Sequence, residues 1–299
     1  MMKVLVTGKG GQLAWELEQT LPQGIELVSF GVQELDITNK SKVTQVLTAE
    51  SPDFVINAAA YTAVDKAETD QETAYAVNES GSEFLALACQ DIGAKLIHVS
   101  TDFVFDGTKT TPYQVDDEPN PINVYGDSKL KGDAKVAEIL KGRAAIIRTA
   151  WVYSANGNNF VKTMLRLMAE KEQLGIVYDQ VGTPTWAKGL AKMIWALIER
   201  DQKEGLLIGD SVHTYHWTDA GVASWYDFAV AIQELAVEKN MLQKSIPVGA
   251  ISASAYPTPA RRPSFSVIDK ATAEQASGVT TIHWRKQLSS MLDELQKMQ

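Results

Sequence analysis

Residues Lys3–Ala14, KVLVTGKGGQLA, decide the fold. KVLVTG is a short, continuously apolar run ending in glycine, the pattern of a strand buried on both faces. QLAWELEQTL, from Gln12, reads as a helix. The turn between them, Gly8-Lys9-Gly10-Gly11-Gln12-Leu13-Ala14, fits G-x-x-G-x-x-[GA] at Gly8, Gly11 and Ala14. Backbone N–H groups approach an anion closely only where glycine replaces a Cβ or allows positive φ. The following helix aims the positive end of its dipole at the same point. Alone, such a loop is equally a plain tight turn. Between a first strand and a first helix it points to dinucleotide binding by Gly8, Gly10, Gly11, Gln12 and Leu13.

The rhythm continues outward. IELVSF, DFVINAAA, KLIHVST and RAAIIRTA read as strands. KSKVTQVLTAE, AYAVNESGSEFLALACQDIG and YGDSKLKGDAKVAEIL read as the helices between them. Continuous apolar strands alternating with helices predict an α/β fold, with a doubly wound parallel sheet of the Rossmann type. After Trp151 the alternation weakens. FVKTMLRLMAEKE, LAKMIWALIERD, VASWYDFAVAIQELAVEK and HWRKQLSSMLDELQKM are helical, and AISASAYPTPARRPSFSVI is loop-like. Residues 1–150 are therefore expected to form the dinucleotide-binding domain. Residues 151–299 are expected to form a smaller substrate-binding part, interleaved with it.

Composition excludes several classes. The net charge is −9 over 299 residues and no Lys/Arg block occurs, which argues against nucleic-acid binding. No apolar run reaches the ~20 residues that span a bilayer, and from MMKVLVTG no signal peptide is expected. Cys89, the only cysteine, is expected to be a buried thiol. Together these predict a soluble, cytoplasmic protein.

Cofactor choice turns on the end of the second strand, where NAD-binding chains carry a carboxylate. Here Ser29, Phe30 and Gly31 stand there, and Lys9 is placed to meet a 2′-phosphate. NADPH is favoured, with NADH left open. Asp36-Ile37 either frames the adenine, or Asp36 or Thr38 caps the helix KSKVTQVL. Asn57-Ala58-Ala59-Ala60 either seats a ribose or packs tightly.

The chemistry is carried by Tyr125-Gly126-Asp127-Ser128-Lys129. At i and i+4, Tyr125 and Lys129 share a helix face. An ammonium beside a phenol lowers its pKa from ~10. The phenol then gives a proton to a carbonyl oxygen as hydride reaches the carbon. Tyr-x-x-x-Lys alone is uninformative. Thr101, in Ser100-Thr101-Asp102, ends the fourth strand, where parallel-sheet sites form, and is either a cap hydroxyl or a donor to that oxygen.

GKGGQLAWEL, DFVINAAAYTAVDKAE, HVSTDFVFDG, PINVYGDSKLKGD, RTAWVYSANGNNFVKTML, DQVGTPT and AYPTPARRPSFS follow in order along nearly the whole chain. In these stretches the chain resembles the dTDP-4-dehydrorhamnose reductases, a family of extended short-chain dehydrogenases. The resemblance implies NAD(P)H-dependent reduction of the 4-keto group of a dTDP-sugar. It makes Tyr125 the general acid, Lys129 its partner and Thr101 the strand-end hydroxyl. Gly11, Gln12 and Leu13 fall in its phosphate turn, and Asp36, Ile37, Ala60, Tyr61 and Thr62 at its cofactor positions. Asp102 and Trp151 match substrate-contacting positions.

The diphosphate sugar needs cations and a flat surface. Lys162, Arg261 and Arg262 are candidate cations, Asn159 a donor and Trp151 a stacking surface. Each has a structural alternative: a solvated helix face for Lys162, a loop pin for one arginine, core packing for Trp151. His213 and His216 lack the flanking carboxylates of a zinc site, so no metal is assigned. The family also implies Mg2+ held by glutamates at a homodimer contact. Glu16 matches one such position, but Lys188 stands at another and opposes a metal there. Reduction of another 4-keto sugar, a non-catalytic NADP-binding subunit and an epimerase are the rival readings. The retained Tyr/Lys pair argues against the second, and the C-terminal stretches against the third.

Overall fold

The computed structural model describes residues 1–298. β1 (Met2–Thr7), β2 (Ile25–Phe30), β3 (Phe54–Asn57), β4 (Lys95–Thr101), β5 (Ala144–Thr149) and β6 (His213–His216) form one sheet. Its order is β2-β1-β3-β4-β5-β6, and every pairing is parallel. The longer helices are α1 (Gln12–Gln19), α2 (Lys40–Glu50), α3 (Gly81–Ile92), α4 (Val124–Leu140), α5 (Phe160–Glu170), α6 (Ala187–Glu204), α7 (Trp225–Glu238) and α8 (Trp284–Lys297).

A side-chain period of two divides the strands between two cores. Val4, Val6, Ile56, Ile97 and Ile147 pack with α1 and α6. Leu5, Val55, Leu96 and Ile146 pack with α2, α3 and α4. Both faces are covered, which is why these strands carry no polar alternation. Cys89 is buried in the second core, as expected, and burial pushes its thiol up to about 12. A third core joins α5, α7 and α8 around Tyr153, Phe228 and Met291.

Several elements differ from the sequence reading. β6 comes from HTYH, which has no apolar run; it is a strand because it pairs with β5 at the sheet edge. Three residues apart on a strand, His213 and His216 face opposite sides. His213 Nε2 lies 3.0 Å from the Ile208 carbonyl and His216 Nδ1 3.2 Å from that of Tyr113. The loop-like C-terminal stretch opens on the last two residues of a strand, Val248–Ile251, parallel to Leu174–Val177. The long helix expected before β4 is instead Gln71–Tyr75, a π-helical turn Ala76–Ser80 and then α3. In that turn Asn78 bonds both backbone groups of Tyr61. Neither Asp36 nor Thr38 caps α2: Asn39 does, accepting from Lys42 N. Asp36 is diverted because its Oδ1 accepts from both N and Oγ1 of Thr38. Among the described residues no helix is long and apolar enough to cross a membrane.

Candidate active site

Strand order reverses between β1 and β3, and the carboxyl ends of the strands there open onto a cleft of about 1020 Å³. The glycine loop forms one end. Gly8 has φ 78° and Gly10 φ 87°. A Cβ on Gly8 would lie 2.9 Å from the Ala58 carbonyl oxygen, whereas Gly10 has open space and needs glycine for its φ alone. Gly11, with φ −74°, begins α1 without any side-chain cap, so the first N–H groups of α1 lack the usual partner. The demand for positive φ thus falls on Gly8 and Gly10, not on Gly11. The cradle fits a dinucleotide pyrophosphate. Gln12, Leu13, Asp36, Ile37, Ala60, Tyr61 and Thr62 all line the same cleft.

Lys9 is exposed in the cleft wall and its backbone N donates to Phe30 O at the end of β2. The structure brings a carboxylate near that strand end which the local sequence conceals: Glu34 Oε2 accepts from Gly31 N at 2.7 Å.

Tyr125, Lys129 and Thr101 line the same cleft. Asn123 starts α4 by accepting from Gly126 N at 2.8 Å, and the Phe103 ring meets Tyr125 edge-on at 5.6 Å. Lys129 is 2% exposed and Nζ donates to the Val99 carbonyl at 2.7 Å. Burial pulls its ammonium down to about 8, opposed by the charge of Asp133. Burial pushes the Tyr125 phenol up to about 12, and the lowering influence on it is the Thr101 hydroxyl. Lys129, expected to have that effect, is instead engaged by Val99. Asp102 is buried, accepts from Thr101 Oγ1 at 3.1 Å and is pushed up to about 6 by burial.

The RmlD substrate binding domain family matches residues 2–297. The chain belongs to this family. It is 39% identical to a dTDP-4-dehydrorhamnose reductase of Aggregatibacter actinomycetemcomitans, over 97% of this chain and 98% of that one. A crystal structure of a dTDP-4-dehydrorhamnose reductase from Clostridium acetobutylicum superposes with a TM-score of 0.90 at 39% identity, covering 99% of this chain and 100% of the other. One from Bacillus anthracis, in complex with NADP, gives a TM-score of 0.89 at 36% identity, covering 98% and 100%.

In this RmlD-family chain Trp151, Trp225 and Arg262 also line the cleft. Trp151 has φ 48°, a costly conformation for a bulky residue. Its indole stacks on Trp225 at 3.6 Å with planes 8° apart, and Gly182 leaves room on its edge. Arg262 donates to both Asp65 oxygens, at 3.0 and 2.7 Å, and holds that carboxyl below its usual range. Three other sequence candidates do not reach the cleft wall. Asn159 caps α5 and spends its amide on Gln12 and Ser154. Lys162 Nζ donates to the Ala155 carbonyl. Arg261 is exposed, and its carbonyl accepts from Asn123.

Trp225, Asp65 and Asn78 were invisible as site residues in the sequence. Trp225 read only as the start of an amphipathic helix, and nothing local ties it to Trp151. At the position compared with a metal contact, Glu16 is buried, and its Oε1 accepts from Ser154 Oγ at 2.7 Å and Trp186 Nε1 at 2.9 Å. Lys188 pairs with Glu294. Among the described residues no three His, Cys, Asp or Glu side chains are grouped to hold a metal ion.

Proposed function

We propose that this chain reduces the C4 carbonyl of dTDP-4-dehydro-β-L-rhamnose to give dTDP-β-L-rhamnose, with NADPH as reductant, in the cytoplasm. The observation that carries the reading is that one cleft is lined by the glycine cradle, by Tyr125, Lys129 and Thr101, and by Trp151 and Arg262. The names of the reductase relatives and the NADP complex of one of them support the same substrate and cofactor. Lys9, exposed beside the end of β2, favours the 2′-phosphate of NADPH.

Bound NADPH supplies the hydride. Gly8, Gly10, Gly11 and the first turn of α1 hold its pyrophosphate, with Gln12 and Leu13 beside it. Asp36 and Ile37 would hold the adenine end, and Ala60, Tyr61 and Thr62 would also contact the cofactor. Tyr125 donates its proton to the C4 oxygen. A neutral phenol, which burial enforces, is the form a reductase needs in its proton donor. Lys129, held at the Val99 carbonyl, orients the nicotinamide ribose. Thr101 turns its hydroxyl from Asp102 to hydrogen-bond the same oxygen, Asp102 contacts the sugar, and Trp151 offers it a flat face. Arg262 approaches the diphosphate with one edge while Asp65 fixes the other. Residues 1–150 supply most of the cofactor half and residues 151–299 most of the sugar half.

The test is to generate the 4-keto sugar with upstream enzymes, follow NADPH consumption and identify the product by NMR. Absence of NADPH consumption refutes the reductase, and a product other than the rhamnose isomer redirects the substrate. A strong preference for NADH in Michaelis constants removes Lys9 from its role.

A further inference from the structure

Asp133 lies one helical turn beyond Lys129, as Lys129 lies beyond Tyr125, so the three share a face of α4. It is 3% exposed and belongs to a polar chain that runs through the sheet. Ser100 Oγ, on β4, donates to its Oδ2 at 2.8 Å. His98 Nε2, also on β4, stands 3.4 Å from its Oδ1, and Arg148 Nε, on β5, 3.8 Å from its Oδ2.

The imidazole tautomer follows from its other neighbour. Asn57 Oδ1 accepts from Ala59 N at 3.3 Å and from Thr7 Oγ1 at 2.7 Å, which turns the amide nitrogen toward His98 Nδ1 at 3.2 Å. Nδ1 therefore accepts, and the ring proton sits on Nε2 facing Asp133. Burial, followed by the charge of Lys129, pushes His98 down, so the ring is neutral. Asp133 is thus bonded by a hydroxyl and faced by a neutral ring, neither of which cancels its charge, and it pairs loosely with Arg148. Lys129 and Arg148 are both buried cations, and removing one partner of a buried charge set leaves the others uncompensated.

We infer that Asp133 is a positioning residue: bonded by Ser100 and faced by His98, it supplies the counter-charge that holds the Lys129 ammonium in place against the Val99 carbonyl. This rests on the reductase reading above. The elements packed against α4 bring His98 from β4, Arg148 from β5 and Asp102 from the turn after β4, with Tyr125 on the helix itself. Of these only Asp102 is acidic, and burial favours its neutral form.

Asp133→Asn removes the influence that raises Lys129. The alkaline limb of the kcat/KM profile then moves to lower pH, by about one unit or more, and activity lost on the alkaline side returns on acidification. Asp133→Glu keeps the charge and leaves the limb near its wild-type position, even with a lower kcat. The same limb is read without substrate in the pH dependence of NADPH binding, followed by tryptophan quenching. A variant that loses activity equally at every pH, with both limbs unmoved, overturns the inference. If Asp133→Asn does not fold, Ser100→Ala decides: it frees one carboxylate oxygen, and a smaller shift in the same direction is expected. An unmoved limb in that variant overturns the proposal. If the wild-type protein reduces no 4-keto sugar, the reductase reading fails, while the NADPH-binding profile still decides the role of Asp133.

Discussion

Gly126 follows the proposed proton donor and has no room for a side chain. A Cβ there would come 2.1 Å from the Phe103 carbonyl oxygen and 2.9 Å from its carbon, where real Cβ atoms stay beyond 3.0 Å. Both contacts are backbone, so no rotamer change relieves them. In Gly126→Ala the start of α4 must therefore move from the Asp102–Val104 turn by about 1 Å, the gap between 2.1 Å and an ordinary close contact. Overpacking of this kind costs ~1–3 kcal/mol. Alanine recovers up to ~1 kcal/mol of helix propensity, so the net loss of stability is small. Activity suffers more. Tyr125 rides on the displaced turn while Thr101 stays on β4, and a misplacement of ~1 Å between reacting groups costs ~10²-fold. We expect kcat/KM with NADPH and the 4-keto sugar to fall by about that factor, while the thermal midpoint drops by only a few degrees. An alanine variant within threefold of wild type would refute the claim that this close approach sets the Tyr125/Thr101 geometry.

Other outcomes follow from the same structure. Tyr125→Phe should lower kcat by ~10²–10⁴-fold with NADPH affinity, from fluorescence titration, within a few-fold of wild type; full activity would remove Tyr125 as the acid. Lys9→Ala should raise KM for NADPH by ~10-fold or more and leave KM for NADH unchanged; equal effects on both would dissociate Lys9 from the 2′-phosphate. Arg262→Lys cannot reproduce the two-oxygen contact with Asp65, so KM for the sugar should rise while KM for NADPH stays constant. Burial raises the Asp219 carboxyl from 3.8 to about 7. Folding therefore favours its protonated form, and its contribution to stability falls as pH rises between those two values. Asp219→Asn should raise the thermal midpoint at about pH 8 and give no gain at about pH 4; a gain independent of pH would assign the effect to packing.

The parallel sheet was legible because its strands carry their own signature. Val4 to Val6, Val55 to Ile56 and Ala144 to Ile147 are apolar on both faces, and only a doubly covered sheet accepts that pattern. β6 was not legible for the complementary reason. HTYH has no apolar run, and its extended backbone is imposed by β5 from another part of the chain. The π-helical turn at Ala76–Ser80 was hidden likewise, since the pull of Asn78 onto Tyr61 is tertiary. Asp36, Thr38 and Asn39 are all capping residue types, and sequence cannot rank them. The Asp36–Thr38 contact removes the first two from competition.

The site divides along the same line. Tyr125 and Lys129 were readable because one helix carries both, so spacing alone fixes their common face. The glycine loop was readable because a strand leads straight into it. The cations of the sugar end obey no local rule. Arg261 and Arg262 are adjacent and chemically identical, yet one is exposed and the other lines the cleft. What separates them is Asp65, far away in sequence, which binds both nitrogens of one edge of Arg262 and turns that side chain inward. Lys162 is lost to the cleft through the Ala155 carbonyl, and Asn159 through its cap. A cation in a sequence is only a charge available to a ligand. Whether it reaches one depends on which acceptors the fold brings to it first. Which side chains reach this part of the cleft is therefore set by Asp65, Ala155 and Ser154 as much as by the residues they hold.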